Sequence, residues 1–307
     1  MKKRVIDLKN TLLILLLIFS LIFISGQEGC EGSTNAKKTG VDFSLISRQD
    51  TLSAGKTLQL GETFYVGIRV ENYDKKERQV EVCIQDSISD QYSGITDSGN
   101  CQQQYLPAAE IIKTQSSGTF SSAKEEIVPG VKEVFFPQQG QYSYKDLFKM
   151  NQPYSSNLIV TVRYPETSQA TTAIYVPNVE QPSLIQDPSQ IMVYLQKSVY
   201  PQGDAYKVNL DLTFSKNPNS KIFLSDFVTE NKTYFDVKMA SQSLDCKTTN
   251  GIPVGNILEI QKIKTIRCST LVYQGAQRQD YGFVLTMIYG VVLQKTYGFS
   301  INTAQEV

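Results

Sequence analysis

The chain has 307 residues, with 30 Lys and Arg balanced by 30 Asp and Glu, 41% hydrophobic and 20% charged residues. That length accommodates about two domains, and the composition is that of a folded protein rather than a disordered one. Zero formal net charge excludes the basic footprint of a nucleic-acid binder, and the absence of His excludes Ser-His-Asp and Cys-His nucleophile systems, HExxH zinc sites and histidine metal centres.

Lys2, Lys3, Arg4 and Lys9 precede a run from Thr11 to Ser25 whose polar members are only Thr11, Ser20 and Ser25. As a helix those residues extend about 22 Å, short of the roughly 30 Å hydrocarbon core, so the run has the length of an export-signal core. Residues 1–30 are expected to be a signal peptide or membrane anchor with the positive end inside. The stretch FISGQEGCEGST resembles a lipobox, which implies lipidation of Cys30 after Gly29. Gln27 departs from that pattern, where an apolar residue is usual, so a cleaved lipoprotein and a retained anchor both stay open. Residues 31–40 are small, polar and charged, as a tether is.

Strand patterns begin next. Phe64, Val66, Ile68 and Val70 alternate with Tyr65, Gly67, Arg69 and Glu71, and Val80, Val82 and Ile84 repeat the period of two. The polar ENYDKKER between them predicts a hairpin from about Phe64 to Ile84. Asp86, Asp90 and Asp97 share a loop, but without calcium-loop spacing, and a solvated acidic loop is the expectation. Cys83 with Cys101 and Cys246 with Cys268 form two close pairs, which in an exported protein predict two local disulfides. No C-x2-C spacing occurs, so neither a zinc site nor any cofactor is expected. Tyr92, Tyr105, Tyr142, Tyr144 and Tyr154 fall in connecting regions and are expected to close the ends of a sandwich. Asn231-Lys232-Thr233 is an N-x-T sequon and makes Asn231 a glycosylation candidate.

An internal repeat organises the rest. Residues 158–176 lie over 283–301 without a gap, placing Leu158, Val160, Val162 and Tyr164 on Phe283, Leu285, Met287 and Tyr289. Both segments are expected to be terminal β-hairpins with one apolar face. Tyr206, Val208, Leu210, Leu212 and Phe214 likewise repeat the earlier strand. The expected organisation is a first sandwich over 41–178, a Pro-rich linker over 179–188 and a second sandwich over 189–307, an all-β chain.

GETFYVGIRVENYDKKERQVEVCIQD, followed by PGVKEVFFP, resembles the CARDB-type and related immunoglobulin-like modules of prokaryotic, particularly archaeal, cell-surface proteins. The resemblance covers about 41–177, and 183–302 more loosely through the repeat. It implies tandem immunoglobulin-like sandwiches that present a protein or glycan partner or space other domains from the envelope, with no catalytic residues to carry over. The expected function is therefore that of a membrane-anchored, extracytoplasmic binding or structural protein, not an enzyme. Competing readings are a carbohydrate hydrolase working with two carboxylates and an accessory subunit of a surface or secretion apparatus.

Overall fold

Alternation of buried and exposed side chains runs along the strands of the computed structural model, which describes residues 39–302 apart from 89–91, 96–99, 115–123, 146–152, 178–179, 219, 262 and 274–278. The described residues hold strands and turns but no helix, so the chain is all-β with several antiparallel sheets. Residues 39–302 belong to one compact unit. The expected signal helix and most of the tether lie outside the described residues.

Phe64, Val66, Ile68 and Val70 are fully buried, as their spacing predicts, and so are Val80 and Val82. Their strands, Val66–Asn72 and Arg78–Asp86, nevertheless do not form the expected hairpin. Val66–Asn72 pairs with Val41–Leu45 and Gly130–Phe136 in a three-stranded sheet, whereas Arg78–Asp86 pairs with Cys101–Leu106 and Tyr154–Val176 in a ten-stranded one. Residues 73–77 are an arch between layers. The Asn72 side chain holds it, donating to the carbonyls of Lys76 and Pro107 at 2.8 Å each. Phe43, Val134 and Phe136 from one sheet join Ile84, Leu158 and Val160 from the other in one core.

The two repeat segments are single continuous strands, not hairpins. Tyr154–Val176 and Gln279–Asn302 pair antiparallel from Tyr154 opposite Ile301 to Val176 opposite Gln279, a ribbon of about 75 Å at the usual strand rise. The repeat lays Leu158 on Phe283, an offset of 125 positions. Pro165 and Gly290 carry the same offset and stand directly opposite one another. An approximate twofold axis therefore passes through that pair. On one side of it Leu158 to Arg163 take the strand Arg78–Asp86, and on the other Phe283 to Ile288 take Lys232–Met239.

Symmetry extends to the outer layers. Ile191–Gln202, Ala205–Lys216 and Thr265–Tyr273 stack in the order 41–45, 66–72 and 130–136 do, the middle strand central in both. Each half is completed by the other's ribbon strand. Residues 57–59 pair with Ser300 to Asn302, and Phe299 stacks on Tyr144, while Ile185–Gln186, inside the segment expected to be a linker, pairs with Thr171 and Ala170. The Lys197 ammonium reinforces that seam by donating to Thr172 Oγ1, Ala173 O and Pro182 O at 2.8, 3.0 and 2.5 Å.

Gly290 is required by close approach at the axis. A Cβ there would stand 2.6 Å from Phe227 Cε1 and 3.0 Å from the Leu224 carbonyl. Gly290→Ala is expected to destabilise the protein by about 1–3 kcal/mol in denaturant unfolding. Gly282→Ala, on the same strand with open space around it, is expected to be neutral.

Candidate functional site

Cys30 lies outside the described residues. Cys83 and Cys101 are opposite one another on adjacent strands with their sulfurs bonded at 2.07 Å, and Cys246 and Cys268 likewise at 1.95 Å. Glu81, Cys83 and Cys101 are close enough for a metal ion, but the two sulfurs are committed to each other. Asn231 is the turn residue just before the strand Lys232–Met239 and lies in the left-handed region, φ 59°, and its side-chain oxygen accepts from Lys216 Nζ at 3.3 Å. The sequon's Thr233 is buried, its hydroxyl donating to the carbonyls of Tyr234 and Ile288.

Tyr142 and Tyr144 close one end of the first half. Tyr144 is buried between Phe64 and Phe299, with ring centroids 5.4 and 6.0 Å away, and donates to Asp86. Burial, then the Asp86 charge, pushes the Tyr144 hydroxyl far above the usual phenol range and that of Tyr142 up to about 12. Asp86 thus serves the fold, accepting also from the Ile88 amide. Asp90 and Asp97 lie outside the described residues. Tyr92 and Tyr154 pack on the core, and Tyr105 is exposed.

A polar cluster that spacing alone did not single out lies beside the ribbon's axis. Arg78 donates to Asp74 from Nε at 2.9 Å and to Glu166 at 3.3 Å, and its guanidinium lies 5.1 Å over the Tyr164 ring. Asp74 in turn accepts from the Gly40 amide at 2.9 Å. Across the axis, the repeat equivalent Tyr289 shares a hydrogen bond with Ser189 at 2.7 Å and accepts from the Gln190 amide. Each of these tyrosines therefore abuts the residues that lead into its half's first strand, Gly40 before Val41 and Gln190 before Ile191. The Tyr164 hydroxyl and Ser168 Oγ find no partner among the described residues. Burial raises Glu166 to about 7, only partly opposed by Arg78, whose closer contact is with Asp74. Glu166 and Asp74 are the closely placed carboxylates a hydrolase would need, yet both are buried under the guanidinium.

The outer face of the sheet formed by Ile191–Gln202, Ala205–Lys216, Thr265–Tyr273, Cys246–Thr248 and Pro253–Val254 is the second feature. Its register places Gln196, Asp211, Arg267 and Lys247 in one cross-strand row and Ser198, Asn209 and Ser269 in the next. Tyr194 flanks these rows on one side, 62% exposed. Tyr200, Leu271 and Tyr273 flank them on the other, at 42%, 58% and 85%. Arg267 grips Asp211 through two bonds of 2.7 and 2.8 Å. Asn209 is buried within this face, its Nδ2 donating to the Tyr200 hydroxyl, and its Oδ1 has no partner among the described residues. A shallow pocket of about 480 Å³, lined by Asp245, Lys247, Thr248, Thr249, Arg267 and Ser269, opens at its edge. The matching face of the first half is occupied by ion pairs, Arg69 with Glu71 and Arg48 with Glu133, and Arg48 covers Phe135.

Compared with protein-family models and with curated proteins, the chain matches none.

Two tests follow from this geometry. The unfolded Glu166 carboxyl titrates near 4.5 and the folded one near 7, so the folded state binds the extra proton in between, and stability falls as pH rises through that window. The loss is on the order of 3 kcal/mol. Denaturant unfolding of Glu166→Gln across pH 4–8 is expected to show that slope removed. Reduction of either disulfide, closing loops with separations of 18 and 22 residues, is expected to cost about 3 kcal/mol, read as a lowered midpoint in the Cys83→Ala/Cys101→Ala and Cys246→Ala/Cys268→Ala variants.

Proposed function

We propose that the chain is a membrane-anchored extracytoplasmic binding protein that presents two immunoglobulin-like sandwiches to an envelope or external partner. The observation that carries this reading is the unequal outer faces of two otherwise matching halves. One face is closed by its own ion pairs, and the other leaves Tyr194, Leu271 and Tyr273 exposed around a polar centre. Exposed amphipathic rings on a rigid sheet make contact area at low entropic cost.

Support for the location is separate. Two disulfides suit an oxidising, extracytoplasmic compartment, and the N-terminal basic and apolar segments suit export. In this reading Cys30 carries the lipid, residues 31–40 are the tether, and the long ribbon holds the binding face at a set orientation to the rest of the protein. The resemblance to CARDB-type surface modules agrees with that arrangement.

Intact-mass and N-terminal analysis of the native protein, combined with protease shaving of whole cells, tests the proposal. The expected result is a mature start at Cys30 with added lipid mass and a body cleaved from outside. An unprocessed Met1 end would replace the lipid with a signal anchor, and a body protected from external protease would overturn the proposal.

A further inference from the structure

We infer that the outer face of the five-stranded sheet binds a neutral oligosaccharide, an inference that rests on reading the chain as an exported binding protein. The order of chemistry across the face argues for it. A protein interface usually has an apolar centre and a polar rim. Here the centre is polar, with Gln196, Ser198, Asn209, Asp211, Arg267 and Ser269, and the aromatic rings stand at its ends.

Tyr194 and Tyr200 project from the same strand face six residues apart, about 20 Å at the strand rise. That span suits several linked sugar rings rather than one. The apolar C–H faces of sugars stack on exposed aromatic rings, while their hydroxyls need planar donors and acceptors between the stacking points. The Asp211 and Arg267 pair, held rigidly by its two bonds, supplies both.

Charge decides against anionic ligands. Lys207, Lys247 and Arg267 stand against Asp211 and Asp245, and Arg267 is committed to Asp211, so a surplus of one cation falls short of the row of cations that a phosphate backbone requires. Addition of a peptide strand uses a sheet edge, not a face. Asn209 adds an independent observation. It is 7% exposed, and its Oδ1 lacks a partner while Nδ2 is taken by the exposed Tyr200. A buried amide oxygen without a donor is costly, and a sugar hydroxyl that reaches it beside the Tyr200 ring supplies the missing bond. The pocket beside Ser269 and Lys247 extends the trough for a branch or terminal ring.

The experiment uses the purified residues 31–307 with both disulfides intact, a printed array of neutral and acidic tetra- to hexasaccharides, and calorimetric titration of the strongest neutral member. Neutral glycans are expected to bind with little dependence on salt. Tyr194→Ala and Tyr273→Ala are each expected to weaken binding roughly tenfold or more with unchanged melting temperature, while Tyr105→Ala, an exposed ring elsewhere, leaves it intact. Binding confined to acidic glycans, insensitivity to both tyrosine variants, or a blank array would overturn the inference. A blank array accompanied by photo-cross-linking from position 194 to an envelope protein would overturn it while leaving the binding-protein reading in place. Protection of the body from external protease would remove both.

Discussion

Everything else in this molecule is arranged around the pairing of two long strands with one another. Tyr154–Val176 and Gln279–Asn302 meet in a single register from Tyr154 opposite Ile301 to Val176 opposite Gln279, and the centre of that register is Pro165 opposite Gly290, two positions that the sequence repeat makes equivalent. A one-residue slip would turn Leu158, Val160 and Val162, together with Phe283, Leu285 and Met287, out of the core in both halves at once. The register is therefore specified from both halves. It also removes the usual independence of tandem domains, because each half has its layer completed by a strand that continues into the other.

The polar cluster beside the axis is where this arrangement is most demanding. Continuing the alternation through the middle of the ribbon places Glu166 and Ser168 on the buried side. Arg78 answers Glu166 from another strand, and its stronger commitment to Asp74 leaves Glu166 incompletely neutralised. The two halves differ at this point. Tyr289 is tied to Ser189 and Gln190, and its counterpart Tyr164 ends beside Gly40 with an unpartnered hydroxyl. The halves match in strand order and about the ribbon's axis, and they differ in both their cluster chemistry and their outer faces.

Much of the fold was legible in the chain. Alternation marked the strands at Phe64 to Val70 and Val80 to Ile84 and identified their buried sides, and the segment match found the repeat. Partners were harder to read. A strand that faces another across a core and a strand that pairs with it show the same alternation, so the arch at residues 73–77 looked like a hairpin turn. The repeat segments were expected to be hairpins with one apolar face, and a continuous strand of 23 or 24 residues shows that same alternation; the guanidinium that permits Glu166 to be buried comes from a residue 88 positions away. The exposed face was passed over for a similar reason. Tyr194, Tyr200 and Tyr273 occupy the outward positions of ordinary strands, and only the cross-strand register gathers them. Their recurrence on the outward phase of IMVYLQKSVYPQ and TIRCSTLVY was the available signal.

The shared ribbon makes the two halves one cooperative body, and native-state hydrogen exchange tests that most directly. Amides from Leu158 to Val176 and from Phe283 to Ile301 are predicted to exchange together, through the slowest opening in the protein, with Tyr164 to Ser168 as protected as the segments on either side. Rapid exchange at Tyr164 to Ser168, with the two halves opening at separate free energies, would contradict the account.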